Sequence, residues 1–145
     1  MDRTKPRVQG EKYLRNELCH IVLRVAGIYG PGRNLLDWIR QGRIGSSRKY
    51  VNLIHVEDLA AICFAALDRG HPGEAYNVSD GTPRMWDEIY ATAQQRWGVA
   101  AAEKKEELST GKRISTAKLQ AALGYTLKHP DLYEALALIE SGKGI

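Results

Sequence analysis

The sequence has no glycine-rich turn of the kind that cradles a pyrophosphate. The glycines at 27, 30 and 32 follow an apolar run, but they read G-x-x-G-x-G with Pro31 inside, not G-x-G-x-x-G. A pyrophosphate site made from these residues alone is therefore not expected. No G-x-x-x-x-G-K-[ST] and no G-x-S-x-G occurs, which removes the phosphate loop of nucleotide hydrolases and the nucleophile elbow of esterases. His20, His55, His71 and His129 are scattered without ligand spacing, so no metal site is expected. The two cysteines, Cys19 and Cys63, lack C-x-x-C spacing and read as buried thiols of a reducing compartment, which makes a cytoplasmic location the expectation. No apolar run approaches ~18 residues, and the start of the chain is polar, so neither a membrane partner nor a signal peptide is expected. The net charge of +4 is mild, with basic residues gathered near the two ends. No stripe of Lys/Arg interleaved with aromatics emerges, so no nucleic-acid partner is expected.

What is present is an α/β pattern in one domain's length. A thin helix is expected from about Arg7 to Cys19. The run from His20 to Ala26 is apolar apart from Arg24, as in strands buried on both faces of a parallel sheet. Such a strand wants neighbours on both sides, and the chain offers few. Arg24 is expected to reach a carboxylate or the sheet edge. Residues 27–33 read as loop, and Leu35 to Gln41 as a short helix stopped by Gly42. Tyr50 to His55 is extended. It leads into a helix from Val56 to Asp68 whose apolar stripe is Val56, Leu59, Ala60, Cys63, Ala66 and Leu67. Ala75 to Val78 is a strand, parallel to the first through a right-handed crossover. Thr82-Pro83 looks like a cap and first turn for a helix with Trp86, Ile89, Tyr90, Ala93 and Trp97 packed on one face. Val99 to Thr110 reads as a loop with a short strand. Ser115 caps a helix to Leu123, Pro130 opens a last helix, and the tail from Ser141 should fray.

Several residues invite a functional reading beside a structural one. The loop 27–33 lies at the carboxyl end of a buried strand, where α/β proteins place ligands, and Arg33 is a donor fork suited to phosphate or carboxylate. It could equally be a surface turn. His55 and Asp58 sit where the extended stretch becomes helix. His55 is either a satisfied interior histidine or a base, and Asp58 is a first-turn carboxylate. Asn77, in the middle of a strand where Asn is depleted, either faces a ligand or fixes a turn.

Four segments occur in a telling order: LRVAGIYGPGRN from Leu23, NLIHVEDLAA from Asn52, EAYNVSDGTP from Glu74 and KRISTAKLQAALGY from Lys112. Together they resemble the carboxyl-terminal half of extended short-chain dehydrogenases/reductases, the nucleotide-sugar epimerase/dehydratase family. The resemblance covers nearly the whole chain. It implies a partial Rossmann-like parallel sheet, the last strands only, with a small and mostly helical substrate-binding lobe. It implies NAD or NADP as cofactor and a sugar-like small molecule as substrate. The strand end at Ala26, Gly27 and Ile28 takes the positions that touch the cofactor. Tyr29, Arg33, His55 and Asn77 are the candidate substrate contacts.

Three departures from the family pattern stand out. The Tyr-x-x-x-Lys pair of the preceding helix would fall near Arg3 and Arg7, so no catalytic residue is assigned. Gly27 replaces a frequent Asn. Val51 stands where many relatives place a diphosphate-binding Arg, with Arg48 and Lys49 nearby. The expected protein is thus one domain, 1–145, the substrate side of an epimerase/dehydratase-like oxidoreductase that is not catalytic alone. It would form a homo-oligomer or pair with an amino-terminal dinucleotide-binding half. A non-catalytic ligand-binding or regulatory module and a self-associating structural domain remain as alternatives.

Overall fold

The computed structural model describes residues 4–100 and 110–142. Their elements run α1 (Pro6–Asn16), β1 (Val22–Val25), β2 (Gly27–Tyr29), α2 (Leu35–Arg40), β3 (Tyr50–Val51), β4 (Leu53–His55), α3 (Val56–Arg69), β5 (Ala75–Val78), β6 (Arg84–Met85), α4 (Trp86–Trp97), α5 (Ala117–Leu123) and α6 (Leu132–Glu140). The architecture is α/β with short parallel pairs, as the alternation of apolar runs and helices implies.

β1 and β5 run parallel, with Val22 opposite Ala75 and Val25 opposite Val78. β2 and β4 are also parallel, with Tyr29 opposite His55. Past Val25 and Val78 the first two strands part, and β4 enters between them. Ala26 N–H still donates to Val78 O (3.0 Å), but Gly27 N–H donates to Asn52 O (3.0 Å) and Asp80 N–H to Leu53 O (2.7 Å). Residues 27–29, expected as loop, are therefore strand. Their continuous apolar character left no room for a break before Gly30. The stretch 50–55 is not one strand but two, since β3 pairs antiparallel with β6 while β4 joins β2.

Side-chain alternation along β2 and β4 feeds two cores. Tyr29 and Leu53 face a lobe core with Leu35, Leu36 and Ile39 of α2, Ile89, Tyr90 and Ala93 of α4, and Leu132 and Leu136 of α6. Ile54 turns to the other core, where Ile62, Ala65 and Ala66 of α3 and Leu119 and Leu123 of α5 cover Tyr76 and Val78, with Ile28 packed alongside. The Trp86-to-Trp97 face of α4 packs into the lobe core as its spacing implies. The helix ends at Gly98, in the left-handed conformation (φ 61°) that glycine adopts without a Cβ penalty. The expected cap at Thr82-Pro83 is displaced. Residues 84–85 pair with β3 first, and α4 starts only at Trp86. At α6, Asp131 rather than Pro130 marks the start, accepting the N–H groups of Tyr133 and Glu134. Ser115 Oγ accepts Ala117 N–H (3.3 Å) ahead of α5. The reading of Val99–Thr110 falls mostly on residues 101–109, and the end of the tail on 143–145. Both lie outside the described residues.

α3 corrects the expected stripe. Its buried residues are Asp58, Ile62, Ala65 and Ala66, while Phe64 is 74% and Leu67 83% exposed. The helix faces the core with a narrower strip and turns Val56, Ala60, Cys63, Phe64 and Leu67 outward. Both cysteines are exposed, not buried. Cys63 lies on that outer face. Cys19 takes a left-handed turn conformation (φ 52°) between α1 and β1, which lifts it off any core. α1 buries no residue. It is held by Arg24, whose Nε donates to Glu11 Oε1 (3.0 Å), so the arginine in the apolar run does reach a carboxylate. That guanidinium holds the Glu11 carboxyl below the usual range. Among the described residues β1 pairs with β5 alone and its other edge is open. No helix of the described residues is long and apolar enough to cross a membrane.

A close backbone approach lies at Gly70, the C-cap of α3. A Cβ there would sit 2.4 Å from Ala66 O and 2.7 Å from Ile21 Cδ1, and that carbonyl already accepts Gly70 N–H. Replacing Gly70 with Ala is expected to cost about 2 kcal/mol, within the usual overpacking range. Urea unfolding of the variant, read at unchanged m, checks it.

Candidate functional site

The site grows from a tight turn. Gly30-Pro31-Gly32-Arg33 closes on itself: Arg33 N–H donates to Gly30 O (2.9 Å) and Gly30 N–H to Arg33 O (3.2 Å). Pro31 at the second position and Gly32 at the third, with φ 74°, are what a type II turn demands. Asn34 follows as N-cap of α2, its Oδ1 accepting Leu36 N–H (3.0 Å). The turn thus stands at the carboxyl end of β2, braced on both sides.

The strand end lies open. Gly27 is exposed, and Ala26 and Ile28 are partly so. Gly27 fits closely against β4: a Cβ would lie 3.0 Å from Leu53 Cδ2 and 3.3 Å from Asn52 O. A side chain there would have to push the end of Leu53 aside by a few tenths of an ångström. Arg33 is exposed but bound to its own turn, its Nε donating to Ile28 O (2.9 Å) and its guanidinium 5.5 Å from the Trp38 ring centre. The rest of its guanidinium belongs to an exposed side chain on an anchored stem.

Tyr29 and His55 come together beneath the turn and away from solvent, at 0% and 1% exposure. Their rings meet edge to face at 5.2 Å. His55 is the N-cap of α3, with Nδ1 accepting Glu57 N–H (3.2 Å), so the neutral ring carries its proton on Nε2. Neither that Nε2 nor the Tyr29 hydroxyl has a hydrogen-bond partner among the described residues. Burial, then the Asp80 carboxylate, pushes the Tyr29 phenol far up. Burial, then the neighbouring His129, pushes the His55 imidazole down. Asn77 is set apart from this pair. It lies in β5 opposite Arg24, on the face of the sheet that carries α1.

Residues not singled out as ligand contacts prove central. His129 stacks on His55 at 3.8 Å and reaches Glu57 Oε2 through Nε2 (3.2 Å). Asp58, wholly buried, accepts three hydrogen bonds: Tyr125 hydroxyl (2.8 Å), Lys128 N–H (2.7 Å) and His129 N–H (2.9 Å). Burial, with that bond to Asp58, pushes the Tyr125 phenol up to about 12. Arg84 and Asp80 form a buried ion pair (2.8 Å) that fixes the turn after β5. Arg113 lies over the Tyr50 ring (5.4 Å), and Asn52 ties that segment down by donating to Lys112 O (2.6 Å) and accepting Ile114 N–H (2.9 Å). The first-turn position of Asp58 was a sequence signal. The pairing of His55 with His129, 74 residues apart, had none.

No protein-family model matches the chain. Protein YeeZ of Escherichia coli K12 is 25% identical over 112 residues, 76% of this chain and 41% of YeeZ. The chain thus spans about two fifths of the length of the curated relative it matches. Among solved structures, a functionally unknown conserved protein from Silicibacter pomeroyi superposes with a TM-score of 0.78 at 28% identity, over 98% of this chain and 58% of that one. UDP-glucose 4-epimerase of Thermotoga maritima, solved with UDP-glucose, gives a TM-score of 0.71 at 19% identity, covering 93% of this chain and 50% of the enzyme. dTDP-glucose 4,6-dehydratase of Bacillus anthracis, solved with NAD, gives 0.70 at 18%, covering 90% and 48%. The fold is therefore that of half of an epimerase/dehydratase-type Rossmann structure, as the four segments implied.

Asp58 generates the prediction here. Asp58→Ala removes the buried acceptor of two backbone N–H groups and a phenol, and is expected to cost about 3 kcal/mol or more. Tyr125→Phe, which removes only one bond to the same carboxylate, should cost about 1.5 kcal/mol. Thermal unfolding of both variants at pH 7 checks the ranking.

Proposed function

We propose that this chain is the substrate-side half of an NAD(P)-dependent sugar epimerase/dehydratase-type oxidoreductase. The observation that carries the reading is the likeness of almost the whole chain to one half of such enzymes, with a rigid turn delivered at the carboxyl end of a parallel strand. Ala26, Gly27 and Ile28 would line the cofactor, NAD or NADP, which supplies the hydride chemistry when bound. Arg33 would offer its remaining donors to an anionic or hydroxyl-rich substrate, while Asn77, on the sheet face that carries α1, stands outside this wall. Tyr29 and His55, being interior, would support this wall from behind.

The reading also accounts for surfaces the chain leaves bare. The open edge of β1 and the outward apolar face of α3 would receive an amino-terminal half carrying the dinucleotide turn and the proton-transfer pair. A second copy of the chain could cover the same face in a homo-oligomer. Exposed free thiols at Cys19 and Cys63 suit a reducing, cytoplasmic setting. The chain alone would bind but not turn over.

The purified chain, given NAD and UDP-glucose or dTDP-glucose, is expected to form no NADH and no epimerised or dehydrated sugar. It should bind the nucleotide sugar weakly by ligand-observed NMR. Arg33→Ala should weaken that binding about tenfold, as loss of a charge-assisted hydrogen bond does. Turnover by the chain alone would overturn the claim of a half-site. Binding indifferent to Arg33 would remove Arg33 from the substrate wall.

A further inference from the structure

His55 sits where three parts of the protein meet. It ends β4, caps α3, and touches both the ligand-facing turn and the segment leading into α6. On the turn side its ring contacts Tyr29, and a Cβ on Gly30 would lie within 3.8 Å of its Nε2. On the other side it stacks on His129. We propose that the stacked pair His55–His129 is an acid-sensitive latch. With His55 neutral it holds the turn at 30–33 to the segment 125–131, and with His55 protonated it releases both.

The geometry gives the mechanism. A neutral His55 uses the Nδ1 lone pair to accept Glu57 N–H and so caps α3. A proton can add only at that nitrogen, which turns the acceptor into a donor facing the helix N–H groups. The new charge then has nowhere to go. Its Nε2–H has no acceptor among the described residues. Every facing group is neutral, positive or already engaged. From β2 comes Tyr29, whose ring is neutral and is itself under the influence of Asp80, Arg84 and Asp131. From α3 come Glu57, engaged by Lys128 and His129, and Asp58, engaged by Tyr125 and two backbone N–H groups. From the segment before α6 come Lys128 and the His129 ring at 3.8 Å. His129 Nε2 lies 3.2 Å from Glu57 Oε2, whereas a proton on His55 loses the cap and meets no carboxylate in contact. Relief comes from swinging His55 out, which breaks its contacts with the turn and with His129 together.

The sign follows. Burial first and His129 second hold the folded imidazole below its ordinary 6.5. Protons therefore bind the released form better. The closed form keeps its full stability above pH 6.5 and loses it as pH falls below that value toward the folded one.

The test is hydrogen exchange on the whole chain between pH 7.5 and 5, read as protection factors. Amides of 29–33 and 127–131 should lose protection about tenfold per pH unit below 6.5, the slope of a single proton. Amides of α5 should not. His55→Asn keeps a capping side chain and removes the titration, so protection at those amides should become flat with pH. His129→Phe keeps the stack without its charge and should shrink the window. An imidazole NMR titration of the unmodified chain stands independent of any variant. A His55 midpoint at or above 6.5, flat protection in the parent chain, or an unchanged slope in His55→Asn would each overturn the latch.

Discussion

The Asp58 carboxylate, at the first turn of α3, holds the two halves of this chain together. Its oxygens take a phenol from Tyr125 and two backbone N–H groups from Lys128 and His129. The chain between α5 and α6 has no ladder of its own, so its polar backbone must find partners elsewhere. Asp58 supplies them at the positive end of α3, where a carboxylate is favoured by the helix dipole. With residues 128 and 129 fixed, Asp131 falls in place to cap α6, and α6 closes the lobe core with Leu132 and Leu136. Asp58 thus ties the segment leading into α6, and through it part of the lobe core, to the first turn of α3.

The parting of β1 and β5 past Val78 has the same logic in the backbone. Entry of β4 lets one short strand send Leu53 into the lobe and Ile54 under the sheet. The turn at 30–33 therefore stands at the end of a strand pair that feeds both cores.

Much of this was legible in the residues. β1, β5, the parallel pairing, α2, the face of α4 and its glycine stop all follow from apolar runs, helical spacing and turn chemistry. Where sequence and structure part, the reasons are physical. The apolar stripe on α3 implies one core-facing side, but a helix buries the side its neighbours present, and on α3 that side carries Asp58, Ile62, Ala65 and Ala66. The strand at 27–29 was lost to the glycine at its head, which marks close approach of β4 and not a turn. Thr82-Pro83 carried a cap signal that β3 overrode by pairing with residues 84–85. At the site, the turn and Arg33 were visible. The interior placement of Tyr29 and His55 was not, since polar side chains give no periodicity when they are buried one at a time.

The fit of Gly27 against β4 couples two positions of the chain. A Cβ at 27 would lie 3.0 Å from Leu53 Cδ2 and 3.3 Å from Asn52 O, so a side chain there asks Leu53 to give way by a few tenths of an ångström. Leu53 also belongs to the lobe core, so that adjustment would be felt by the helices packed on it. The choice of residue at an exposed strand end is thus constrained by a core that it does not enter.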